Sequence, residues 1–333
     1  MLTIKQNLLE TIRGGHPDRY VKQFEPFKML YATPLTVQSR QPAYGEHLVQ
    51  DAWGVYKSWP EGTPGAFPVH DAAHKVITDI EDWKNQVKVP TFPTDEASWA
   101  PFVKFAEDID RDEYFATQFY APGIWEQCHY LMGVDDACMN LLLYPDEMHE
   151  LIETITDLMV EHTKCFCKYF KPEAYFQHDD WGSQISTFMA PDTFEEFFLE
   201  PYKRVYGTAK ENGVELIIHH SDSYAETLVP YMIEMGIDIW QGTMRTNNIP
   251  KIIEEYGGKL TIMGGIDSAT VDFPQTTDEI IAEKVEESCR AYGTKFYIPC
   301  GSQGLAMSTF PGVYDKISEN IDRMSKEFFG DPE

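Results

Sequence analysis

Leu216-Ile217-Ile218-His219-His220-Ser221-Asp222 is the stretch on which the reading of this chain turns. It starts as an apolar run, the pattern of a strand buried on both faces. It ends abruptly in imidazole, hydroxyl and carboxylate. A second segment, Ile298-Pro299-Cys300-Gly301, has the same form. In α/β barrels the C-terminal tips of the strands carry the chemistry. Two such tips at one mouth would bring His220, Asp222 and Cys300 together, and nitrogen, oxygen and sulfur donors are what zinc takes. The same residues also suit a buried neutral histidine, a capping aspartate and an inert thiol. No compact ligand motif decides between the two readings.

Outward from these tips, the C-terminal half alternates strand and helix. Strands are expected at 174–178, 214–219, 237–241, 260–263 and 296–299, with helices at 193–212, 225–235, 249–256, 277–292 and 311–329. Asp192 supplies an N-cap and Gly257-Gly258 a stop. The N-terminal half is less regular, with strands at 27–31 and 114–119, a weaker one at 75–78, and a long helix at 148–168. Counting the weak strand gives eight, the number that closes a (β/α)8 TIM barrel. The chain therefore reads as one α/β barrel domain over 1–333. Residues 1–70 form an N-terminal helical and loop extension, whose Pro-, Gly-, Trp- and Tyr-rich part at 38–68 is expected to lie over the mouth.

Composition narrows the function classes. Asp and Glu number 54 against 27 Lys and Arg, a formal charge of −27. Such a surface repels phosphate backbones, so nucleic-acid binding is not expected. There is no apolar run of membrane-spanning length and no basic lead into an apolar segment, which predicts a cytoplasmic protein without a membrane partner. The six cysteines show no paired CxxC spacing and read mostly as buried thiols.

Further candidates sit at other strand tips. Asp179-Asp180-Trp181-Gly182 follows a strand directly. Its carboxylates can orient a polar substrate or donate a proton, or simply form a turn, and adjacent residues cannot easily both face the centre. Gly264-Gly265-Ile266-Asp267 permits close backbone approach to a ligand, or forms a tight turn with Asp267 as cap. Gln241 and Gln303 stand where they can hydrogen-bond a substrate. Tyr120, Trp125 and His129 can line a pocket for a planar ligand, with core packing as the alternative. The HExxH, GxSxG and Walker motifs are absent.

These tips, in this order, resemble the uroporphyrinogen decarboxylase superfamily, and most closely its methyltransferase branch of methylcobamide:coenzyme M and corrinoid-dependent O-demethylase enzymes. The carriers are Asp179-Asp180-Trp181-Gly182, Pro191, Phe194 to Pro201-Tyr202, His220-Ser221-Asp222, Gly264-Gly265-Ile266-Asp267 and Cys300-Gly301. The resemblance implies a (β/α)8 barrel with its site at the C-terminal mouth. It implies zinc held by a His-x-Cys pair and a distant Cys, which fall here on His220, Asp222 and Cys300. Asp222 departs from the pattern; a harder carboxylate makes a stronger Lewis acid, better suited to polarising an oxygen. The resemblance further implies methyl transfer between a small methylated substrate, best a methoxylated aromatic, and cobalamin on a separate corrinoid protein. In that reading Asp179 or Asp180 is catalytic, and Tyr120, Trp125, His129, Trp181, Gln241, Asp267 and Gln303 meet substrate, with Gly264 and Gly265 toward the cofactor. The Arg-rich N-terminal motif of the decarboxylase has no counterpart; Gln38-Ser39-Arg40-Gln41 is the nearest basic spot. A metal-free decarboxylase and a non-catalytic docking barrel are the alternatives, and a homodimer is among the open oligomeric states.

Overall fold

The computed structural model describes residues 1–63 and 65–330; Pro64, within the 38–68 loop, and the last three residues of the 1–333 domain lie outside the described residues. Ten strands are present among them: β1 (Phe27–Leu30), β2 (Val49–Gln50), β3 (Tyr56–Ser58), β4 (Phe67–Pro68), β5 (Phe115–Tyr120), β6 (Ala174–His178), β7 (Leu216–His220), β8 (Ile239–Thr243), β9 (Thr261–Ile266) and β10 (Tyr297–Gly301). Seven form one parallel sheet in the order β1-β5-β6-β7-β8-β9-β10, with helices between successive strands from β5 onward. This is the α/β architecture of a (β/α)8 TIM barrel. The three short strands β2–β4 form a separate antiparallel sheet within the insertion.

Side-chain alternation explains why the sheet curls. Phe115, Ala174, Phe176, Leu216, Ile218, Ile239, Met263 and Ile298 pack together as one interior cluster. Their neighbours Tyr175, Ile217, Trp240, Ile262 and Tyr297 face the opposite way, into a larger core beneath the helices. Strands apolar on both faces must be covered on both. The inward set is the one whose last members reach the mouth as His178 and His220.

The expected weak strand at 75–78 is not a strand. The backbone N–H groups of Val76 and Ile77 both donate to the carbonyl of Leu131, at 3.0 and 2.9 Å. Leu131 lies in the last turn of the helix Ile124–Met132, where carbonyls lack an intrahelical partner. The segment caps that helix, and β1 pairs directly with β5.

The N-terminal extension divides between the two ends of the barrel. Helix Ile4–Ile12 lies against the N-terminal strand ends: Thr11 accepts from the Phe296 N–H just before β10, Lys5 pairs with Glu173 just before β6, and Arg13 pairs with Glu215 just before β7. Gln23 then turns in at the β10 edge, where its Oε1 accepts the Gly301 N–H at 3.2 Å. The insertion after β1 lies at the opposite end, beside the C-terminal tips of β1 and β5. Among the described residues, no helix is long and apolar enough to cross a membrane.

Candidate active site at the barrel mouth

Strand register sets the site. His178 at the end of β6 lies directly opposite His220 at the end of β7, and His220 lies opposite Gln241 of β8. Both imidazoles belong to the inward-facing set, so their rings meet, with centroids 4.2 Å apart. Asp180, two residues past the end of β6, brings its Oδ1 to 3.6 Å from His220 Nε2. One ligand atom from each of His178, Asp180 and His220 can be chosen so that all lie within 4.8 Å of one another.

Each imidazole is fixed through its Nδ1. The Gln241 carboxamide donates through Nε2 to the carbonyls of Gly301 and Gln303, at 3.3 and 3.0 Å. That orientation leaves its Oε1 to accept from His220 Nδ1 at 2.5 Å. His178 Nδ1 lies 3.1 Å from Glu126 Oε2, a buried carboxylate in the first turn of helix Ile124–Met132. Both Nε2 atoms are thereby left toward Gly304: the point that a Cβ on Gly304 would occupy lies 2.9 Å from His178 Nε2 and 3.0 Å from His220 Nε2. Two imidazole nitrogens around one small space, each ring held by an acceptor on its far side, with a carboxylate oxygen alongside, is a donor set that fits a zinc ion and leaves a position open.

The electrostatics of the two rings diverge. Burial alone would lower the pKa of His178, but Glu126, and then Asp180 and Asp222, raise it to about 10. Burial, followed by the neighbouring His178, lowers His220 to about 4. Without an ion the pair is thus one imidazolium and one neutral ring. The fixed Nδ1 partners decide which nitrogen each presents.

The predicted residues divide. His220 and Asp180 are in the group. Asp222 and Cys300 are not: Asp222 donates its backbone N–H to Asp180 Oδ1 at 2.9 Å, while burial and then Asp180 push its own carboxyl well above the usual range. Cys300 is fully buried, its Sγ 3.9 Å from Gln241 Nε2 and from Gln23 Oε1, and burial pushes its thiol up. The register gives the reason, since His220, Gln241, Met263 and Ile298 are successive ladder partners and Cys300 lies two residues further along β10. The Gln241 side chain fills the space between it and the ring. Asp179 serves as an anchor: its carboxylate accepts from the N–H groups of Trp125 and Glu126, at 3.0 and 2.9 Å, and from the Tyr202 hydroxyl.

Trp125 and Trp181 are fully buried, Trp125 against Phe188 and Phe198 and Trp181 stacked on His219. His129 packs on Trp125 and Tyr130. Gly264 approaches the backbone of Thr243, and Gly265 the side chains of Tyr292, Ser288 and Tyr297, so both glycines serve packing. Asp267 accepts the Arg245 N–H, and the side chain of Gln303 is tied to Thr309. Tyr120 lines a cavity at the mouth.

His178 could have been found from the sequence, because Ala174, Phe176 and His178 share the alternation of Leu216, Ile218 and His220. Glu126, in the middle of an apolar helix start, and Gly304 carry no such signal.

Residues 116–321 match the family model for uroporphyrinogen decarboxylase (URO-D). The chain belongs to the uroporphyrinogen decarboxylase family. Among solved structures, a methyltransferase from Methanosarcina mazei superposes with a TM-score of 0.64 at 13% identity, covering 97% of this chain and 99% of that one. A B12-independent methionine synthase from Shewanella sp. W3-18-1 superposes with a TM-score of 0.45 at 15% identity, covering 72% of this chain and 67% of that one. The first of these shares the fold of this family member over its whole length. No curated protein sequence matches the chain.

Proposed function

We propose that this chain is a zinc-assisted methyltransferase, moving a methyl group between a small methoxylated aromatic and the cobalamin of a separate corrinoid protein. The reading rests on one observation: two tautomer-fixed imidazoles and a carboxylate surround a single small space at the barrel mouth. His178, Asp180 and His220 would hold the zinc, which when bound supplies Lewis acidity toward the oxygen of a methyl ether. Glu126 and Gln241 orient the two rings and keep the Nδ1 protons away from the ion. Asp179 holds the helix that carries Glu126, through two backbone N–H groups.

A second reading, a metal-free decarboxylase, draws on the Glu126–His178 pair, which keeps a protonated imidazole beside the mouth at neutral pH. It does not extend readily to a polyanionic tetrapyrrole. Among the described residues, the cavity at the mouth has Lys57 as its one basic residue, already paired with Asp51, while Arg40 is tied to Glu46.

Metal analysis of protein purified without added metal separates the two. The methyltransferase reading expects one zinc per chain, lost in His178→Ala and Asp180→Asn, together with methyl transfer from a methoxylated aromatic to cob(I)alamin. Metal-free protein that releases carbon dioxide from a carboxylic acid would refute it in favour of the second.

A further inference from the structure

The helix Val134–Leu143 is apolar on more sides than the core uses. It turns Ala137 and Leu141 inward, with Val134 and Cys138 half-buried beside them. Those four make one stripe at helical spacing, which is what seats a helix on a core. Met139, Leu142 and Leu143 lie off that stripe and are 51%, 74% and 67% exposed. The hairpin after β6, closed by the bridge between Gly182 and Thr187, stands beside this helix, for the Phe188 carbonyl is 3.6 Å from Cys138 Sγ. It carries Ile185, 81% exposed. One exposed leucine needs no explanation, but large apolar side chains gathered on two adjoining elements mark a contact surface.

Charge decides what kind of surface fits it. No Lys or Arg occurs from residue 112 to 163 or from 172 to 202, the two segments that build this side. Lys75 and Lys84 reach in from the segment before β5, and each is already paired, with Asp136 at 2.6 Å and with Glu150 at 2.7 Å. Asp135, one turn before Met139, Asp146, just past Leu143, and Asp192, just past the hairpin, are exposed and have no Lys or Arg partner among the described residues. A second copy meeting this one through the same patch would set acid against acid, and an anionic lipid surface would do the same. An apolar surface bordered by Lys and Arg meets both the centre and the rim.

We propose that this face docks a separate protein whose contact surface is apolar at its centre and ringed by Lys and Arg. The hairpin begins directly after Asp180-Trp181, so a partner seated here stands at the rim of the barrel mouth. The inference goes beyond the proposed methyl transfer and does not depend on it.

Two short amphipathic helical peptides probe the face, one built of Leu and Lys and the other with every Lys replaced by Glu. Their binding to the whole chain is read by fluorescence anisotropy, without zinc or turnover, so the result is independent of the reaction at the mouth. The expected outcome is saturable one-to-one binding of the Lys peptide, at least about tenfold tighter than of the Glu peptide, and weakening as salt rises. Leu142→Ser combined with Leu143→Ser should weaken it at least about tenfold, because the apolar centre carries the affinity. Ile185→Ser, outside any helix, repeats the test should the double variant fail to fold, and an unchanged thermal midpoint shows which variants are intact. Equal binding of the two peptides, no saturable binding, or affinity unchanged in the folded variants overturns the proposal. So does self-association in sedimentation velocity, or binding to phosphatidylcholine vesicles, that the double variant abolishes, since the face would then belong to a second copy or to a membrane.

Discussion

Gly304→Ala isolates the proposed metal space from everything else at the mouth. Gly304 does not have a positive φ, so alanine is compatible with its backbone, and the change adds one methyl group. That methyl would stand 2.7 Å from His178 Cδ2, 2.9 Å from His178 Nε2 and 3.0 Å from His220 Nε2. Ordinary contact begins near 3.4 Å, so the rings or the loop must give by 0.4 to 0.7 Å. Zinc–ligand distances tolerate only about 0.2 Å. Disturbing the groups that set ligand orientation costs metal affinity by about 10- to 100-fold, or ~1.4–2.8 kcal/mol. The assay is competition for zinc against a chromophoric chelator, with thermal unfolding of the apoprotein as a control. The expected outcome is that loss of affinity with an apoprotein midpoint within a few degrees of the parent. Unchanged zinc affinity in Gly304→Ala, alongside lost affinity in His220→Ala, would place the ion elsewhere around His220 and refute the assignment.

Cys300→Ser should leave zinc affinity within about threefold of the parent, whereas a ligating thiolate would cost at least tenfold; the same chelator competition reads the difference. Asp179→Ala leaves the N–H groups of Trp125 and Glu126 buried without an acceptor, and denaturant unfolding should show a loss of roughly 2–5 kcal/mol. His162, fully buried among Phe92, Trp99 and Tyr120, is lowered from 6.5 to about 3 by burial. The unfolded chain therefore takes up this proton below pH 6.5 while the folded protein refuses it until about pH 3, so stability falls as pH drops through that window. His162→Phe should lose less stability than the parent between pH 7 and pH 4.5, by about 2–3 kcal/mol, and an equal loss in both proteins would contradict the argument.

Much of the barrel was legible because its signal is local. Apolar runs such as Leu216–Ile218 and Tyr297–Ile298, ended by polar tips, mark buried parallel strands without any long-range information. Residues 75–78 misled because a short apolar run also suits a helix cap, and only the position of Leu131 decides. In the site, His220 and Asp180 were visible as residue types at strand tips. Cys300 looked equivalent, but ladder register across three intervening strand pairings is a tertiary property and places Gln241 between the sulfur and the imidazole. Asp179 and Asp180 are neighbours of the same chemistry. Their separation into anchor and donor depends on where the helix Ile124–Met132 begins, more than fifty residues earlier.

The helix Ile4–Ile12 and Gln23 have a practical consequence for cutting the protein down. A fragment trimmed to the family segment 116–321 would lose both, along with β1, and would bare unpaired backbone on the flanks of β5 and β10. Open strand flanks of that kind recruit other chains. Such a fragment should precipitate or form ladders of copies, even with every one of the mouth histidines intact.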